Sequence, residues 1–123
     1  MVKAKKTVSL LMMVVLTLML AVPVFAASKS YQFYYDGAYD SHSSTYISEP
    51  ADVNGNSVTI KLKGNYFPYL TVDGSTYTGS YNASTNLTTF TFTAGDPSQD
   101  IDIQLYVSTV FHSQLYDLSI HWN

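Results

Sequence analysis

An all-β fold, an antiparallel β-sandwich of immunoglobulin type, is what this sequence predicts, and three observations predict it. Short segments rich in β-branched and aromatic residues recur at roughly ten-residue spacing, about seven or eight in all. Turn chemistry separates them, at Asp36-Gly37, Asn54-Gly55, Asp73-Gly74 and Asp96-Pro97-Ser98. Helical periodicity is nearly missing, apart from one short 3₁₀ or α turn near residues 40–46.

The amino-terminal residues are set apart from that fold. Lys3, Lys5 and Lys6 precede an uncharged apolar run from Val8 to Phe25, and Val24-Phe25-Ala26 presents small residues where a signal peptidase reads. The run is also long enough to span a bilayer. The small-residue exit and the polar switch at Ser28 favour cleavage after Ala26, so residues 1–26 are read as a signal peptide. Residues 27–123 are then a single domain of about a hundred residues, enough for one two-layer core. The expected product is secreted or held at the cell surface, with no membrane span after the signal peptide is removed.

Taken in order, Tyr31 to Tyr35 is an aromatic strand with Tyr31, Phe33 and Tyr35 on one face. Ala38 to Tyr46 is polar and lacks strand alternation; Asp40 or Ser41 is placed to cap a helical turn there. Val58, Ile60 and Leu62 alternate with Thr59, Lys61 and Lys63, a half-buried strand. Tyr66, Phe67 and Tyr69 cluster around Pro68, and Leu70 and Val72 continue to the Asp73-Gly74 turn. Thr76 to Tyr81 reads as one weaker strand, and Thr88 to Thr93 turns Phe90 and Phe92 inward. Ile101, Ile103, Leu105 and Val107 form the cleanest alternation. In the last strand Tyr116, Leu118, Ile120 and Trp122 share one parity, and His112 shares it too. That strand reads as a pocket wall with His112 as its reactive point. Same-face residues four apart on a strand lie roughly 13 Å apart, so parity alone does not bring the two rings together.

Composition narrows the function. Beyond the signal peptide three lysines (Lys29, Lys61 and Lys63) face nine carboxylates, and arginine is absent from the sequence. Such a surface repels phosphate backbones, which argues against DNA or RNA partners. With no cysteine, stability rests on packing, and thiolate metal sites are excluded. No GxSxG elbow occurs, and the carboxylates sit on turns and outward positions, so neither a serine hydrolase nor a glycosidase is indicated. A zinc site from His42, His112 and His121 fails on parity. The residues read as a binding module, not an enzyme.

Four features follow one another along the chain. Ser41-His42-Ser43-Ser44-Thr45-Tyr46 leads to Glu49-Pro50-Ala51, and Asn54-Gly55 leads to the strand from Val58 to Leu62. Tyr66 precedes a strand ending in Val72-Asp73-Gly74, and His112-Ser113-Gln114-Leu115-Tyr116 opens the last strand. In this order, from Tyr31 to Asn123, the chain resembles the near iron transporter (NEAT) domains, the haem-binding modules of Gram-positive surface and secreted proteins. The resemblance implies an immunoglobulin-like sandwich holding haem b (iron protoporphyrin IX), with Ser41, His42, Tyr46, Tyr66, Val107, His112 and Tyr116 around it. In haem-binding members the first tyrosine of a Y-x-x-x-Y motif ligates iron and the second supports it; here those positions are His112 and Tyr116. Imidazole is a common haem ligand, so the resemblance implies His112 as the axial ligand, with His42 or Tyr116 as alternatives. It implies Ser41 near a propionate, Tyr66 as an aromatic wall and Val107 in the floor. The function implied is a hemophore that captures and relays haem for iron acquisition, with haemoglobin or other NEAT-domain receptors as partners, secreted or associated with the cell wall. Two alternatives stand beside it: a NEAT-like module gripping a protein such as haemoglobin without haem, through Tyr34, Tyr39 and Tyr69, or a carbohydrate- or cell-wall-binding sandwich.

Overall fold

Alternation decides which side of each strand is buried, and the two inward sides make the core. The computed structural model describes residues 27–123, so the signal-peptide reading of residues 1–26 lies outside it. Among the described residues eleven strands run in order: β1 (Ala27–Lys29), β2 (Tyr31–Tyr35), β3 (Ala38–Tyr39), β4 (Ala51–Asn54), β5 (Ser57–Lys63), β6 (Tyr69–Val72), β7 (Ser75–Thr78), β8 (Ser80–Asn82), β9 (Leu87–Thr93), β10 (Ile101–Ser108) and β11 (Ser113–Trp122), with one helix, α1 (Ser41–Ser44). They form a five-stranded sheet, β1-β4-β5-β9-β8, and a six-stranded sheet, β3-β2-β11-β10-β6-β7. Every paired strand is antiparallel. This is the expected sandwich.

The first sheet buries Val58, Ile60 and Leu62 of β5 against Phe90 and Phe92 of β9. The second buries Phe33, Leu70, Leu105, Leu118 and Ile120. Burying a side chain of this size contributes about 1.5–3 kcal/mol, and with no cysteine this packing carries the stability. Thr88 is the buried polar residue; its hydroxyl donates to Gly64 O at 2.7 Å, which satisfies it inside the core.

Several expectations need correction. The stretch Thr76 to Tyr81 is two strands, because the chain changes sheets at Gly79: β7 pairs with β6, while β8 pairs with β9. Gly79 N–H donates to Pro68 O at 3.0 Å, and a Cβ at this residue would lie 2.7 Å from Phe67 O and from Thr88 Cγ2. The crossing therefore needs glycine for space. Three further strands, β1, β3 and β4, lie outside the expected ones: β1 and β3 are too short to show alternation, whereas Ala51–Asn54 alternates buried and exposed positions. The last strand begins at Ser113, so His112 sits in the hairpin loop before it and not in the strand.

Helix α1 is capped by Asp40, one of the two expected caps: its carboxylate accepts from Ser43 N–H at 3.0 Å and from the Ser43 hydroxyl. Two bonds pin the helix to β2, Asp40 N–H to Phe33 O at 2.9 Å and Phe33 N–H to Ser44 Oγ at 3.0 Å.

Gly79→Ala is expected to destabilise the domain by about 1–3 kcal/mol, measured as a lowered urea midpoint with unchanged slope. The Ser43 hydroxyl bond holds the Asp40 carboxyl below its ordinary range. A carboxyl depressed in the fold contributes stability above its unfolded pKa, about 3.9, and that contribution is lost as pH falls through the folded value. Ser43→Ala should raise the Asp40 titration toward the ordinary range, followed by carboxyl NMR; an unmoved titration would contradict the assigned cause.

Candidate functional site

The β10–β11 hairpin builds one wall. Its ladder closes at the pair Ser108–Ser113, and Thr109 N–H donates to His112 O at 2.7 Å. Thr109 Oγ1 donates to the same carbonyl at 3.1 Å. These bonds hold the His112 backbone in a tight turn, and the ring reaches back along the strand. His112 Nε2 and the Tyr116 hydroxyl lie 2.8 Å apart, four residues apart in sequence. The two long side chains close the gap that four residues of strand leave between their Cα atoms. Which of the two donates depends on the imidazole tautomer.

Helix α1 and the aromatic residues after it build the opposite wall. Tyr46 packs edge-on against His42, with centroids 6.2 Å apart, and against Phe67 at 5.5 Å. Tyr66 packs behind Tyr46 at 6.2 Å, its ring lying over Gly64, where a side chain would collide with it. Gly64 has φ +99°, so glycine serves both the turn and the space. Ser108 N–H donates to Tyr66 O at 2.8 Å, which ties this segment to the base of the hairpin.

Between the walls lies a cleft of about 500 Å³, within the size range of small-molecule sites. Its floor is apolar, from Phe33, Leu62, Phe67, Leu105, Val107 and Leu118. Asp40, His42, Ser43 and Tyr46 line the α1 side, and Thr109, His112 and Tyr116 line the hairpin side. Five of the residues expected around a ligand thus share one cleft: His42, Tyr46, Val107, His112 and Tyr116. The other two lie outside its lining. Ser41 is exposed, with its carbonyl accepting from Thr45, and Tyr66 stands behind Tyr46.

Asp40 is the residue that sequence reasoning used only as a cap. Asp40 lines the cleft, and its carboxyl is held below the ordinary range, first by the Ser43 hydroxyl. Among the described residues no lysine or arginine lines the cleft.

The third histidine is elsewhere. His121 lies on the outer face of the six-stranded sheet, stacked on Tyr34 with centroids 4.2 Å apart and 3.0 Å from Asp100 Oδ2. Tyr39 packs beside Tyr34 at 6.4 Å, and Tyr69 stacks on Tyr106 at 4.9 Å.

Neither a protein-family model nor a curated protein sequence matches the chain. Its fold is similar to that of solved NEAT domains. One is a point mutant of the NEAT5 domain of IsdX2 in complex with heme, at TM-score 0.69 and 15% identity, covering 80% of this chain and 93% of that one. Another is the NEAT5 domain of IsdX2, a B. anthracis hemophore, in complex with heme, at TM-score 0.66 and 15% identity, covering 80% of this chain and 94% of that one. At this identity the likeness is one of fold, and the fold of this chain is NEAT-like.

Proposed function

We propose that the cleft between α1 and the β10–β11 hairpin binds haem, and that the protein is a secreted or wall-associated carrier that captures haem and passes it on. The observation that carries this reading is the His112–Tyr116 pair, 2.8 Å apart at the edge of an apolar cleft. The donor set fits the group. Imidazole nitrogen and phenol oxygen are both ligands of haem iron, and the floor offers the apolar contact that a porphyrin ring needs. The haem-bound structures of similar fold support the same reading.

His112 is the proposed axial ligand, with Tyr116 fixing its tautomer and ring orientation through the hydroxyl. Tyr116 and His42 are the alternative ligands. Bound haem would supply the iron that the protein carries; the chain itself orients the ligand and shields the ring from water. Neutral imidazole binds both oxidation states of iron, whereas phenolate favours the ferric one, so this site should tolerate reduction better than a tyrosinate site. A porphyrin has about forty heavy atoms, and at roughly 0.3 kcal/mol each that bounds binding near 12 kcal/mol, or nanomolar. Apolar contact and the iron bond would share this.

A second reading, a module that grips a protein such as haemoglobin without haem, draws on the hairpin tip. Val110 is 92% and Phe111 98% exposed there, and exposed apolar residues serve as interface anchors.

Adding hemin to the purified mature protein should give a sharp Soret band at one equivalent. His112→Ala should shift that band and weaken binding at least about tenfold while leaving a bound porphyrin, and Tyr116→Phe should alter the spectrum less. If no band forms at stoichiometric hemin, the haem reading fails, and capture of haemoglobin by the apo protein would then favour the second.

A further inference from the structure

We infer that the tip of the β10–β11 hairpin, Val110-Phe111, docks into the cleft of a second copy of this chain, so that two copies pair with each tip in the other's cleft. The pairing does not depend on the haem reading; only its competition with haem rests on that reading.

The tip is a two-residue turn closed by the bond from Thr109 N–H to His112 O, and it leaves Val110 92% and Phe111 98% exposed. Two adjacent apolar side chains standing in water act as anchors wherever a matching pocket exists. This chain supplies the pocket itself. The cleft has an apolar floor from Phe33, Phe67, Leu105 and Val107, and its volume of about 500 Å³ has room for a phenyl and an isopropyl group. Phe111 does not fill its own cleft, although its neighbour His112 lines it. Tip and cleft therefore stand side by side at one end of the sandwich. A twofold axis between two such ends brings each tip to the other copy's cleft, which is a closed pairing.

Charge favours this end for the approach. Beyond residue 26 the chain carries three lysines against nine carboxylates, so two copies repel over much of their surface. From Ile103 to Tyr116 there is no aspartate, glutamate or lysine. Asp40 is the carboxylate in the cleft lining, and the tip it would meet is uncharged. A buried aromatic side chain accounts for roughly 150–250 Å², so two tips and the two surfaces that receive them bury on the order of 1,000 Å². That is the lower end for a specific interface, and it makes the pairing weak and dependent on concentration.

Sedimentation velocity of the mature protein from about 10 μM to about 1 mM, the span in which an interface of this size associates, should show a monomer giving way to a dimer. Phe111→Ser removes a side chain with no packing to lose. It should match wild type by circular dichroism and weaken association at least about tenfold. The sequence has no cysteine, so Ser113→Cys offers a single thiol for a spin label beside the tip. Mixed with isotope-labelled wild type, the spin-labelled copy should broaden the partner's amides at residues 42–46 and at Phe67. A wild type that stays monomeric throughout, a Phe111→Ser variant that pairs as well, or broadening confined to residues 109–112 overturns the inference. Capture of haemoglobin by a monomeric wild type, lost in Phe111→Ser, would overturn it in favour of a protein partner. One equivalent of hemin should separate the pair, because ligand and tip claim one cleft. A Soret band with the pair intact overturns the inference and leaves haem binding standing, whereas a pair with no band ends the haem reading alone.

Discussion

The hydrogen bond from Thr109 N–H to His112 O closes the β10–β11 hairpin, and the cleft is built on that closure. This bond carries the β10–β11 register one pair beyond Ser108–Ser113, so His112 keeps the parity of Tyr116. From there the imidazole Nε2 lies 2.8 Å from the tyrosine hydroxyl. Two residues of like parity thus meet through their long side chains. The same hairpin is tied at its base to Tyr66 through Ser108 N–H, so both walls of the cleft share one framework.

The floor of the cleft is an extension of the core. Leu105 and Leu118 are nearly inaccessible, and they lie in the strands whose outer ends carry Val107 and Tyr116. The six-stranded sheet therefore does two things along one pair of strands: it packs against the opposite sheet at one end and floors the cleft at the other. Helix α1 makes the opening by standing off the sheet, held at a fixed distance by its two bonds to Phe33. Polar groups line both walls, Asp40 and His42 on the α1 side and His112 on the hairpin side.

Much of the fold was legible because β5, β9 and β10 alternate strictly, and a period of two has one physical meaning when one face is buried. The short edge strands were not legible. Ala38–Tyr39 and Ser80–Asn82 are exposed on both faces, so no hydrophobic pattern marks them. The crossover at Gly79 did leave a signal, a lone glycine inside a strand pattern, which marks a close backbone approach. Within the cleft, His112 and Tyr116 were legible by parity, but their contact depends on the direction of the two side chains, which parity does not encode. Asp40 was legible as a cap from its place before Ser41; its position in the lining depends on how α1 packs on β2, a tertiary fact.

The central claim is that a planar porphyrin lodges between α1 and the hairpin, against His112 and Tyr116. Titrating isotope-labelled mature protein with diamagnetic gallium protoporphyrin IX, and mapping the backbone amide shifts, tests it most directly. The account predicts changes concentrated in residues 40–46, at Phe67 and from Val107 to Tyr116. Silence in those segments, or changes centred on Tyr69 and Tyr106 of the outer face, would contradict it.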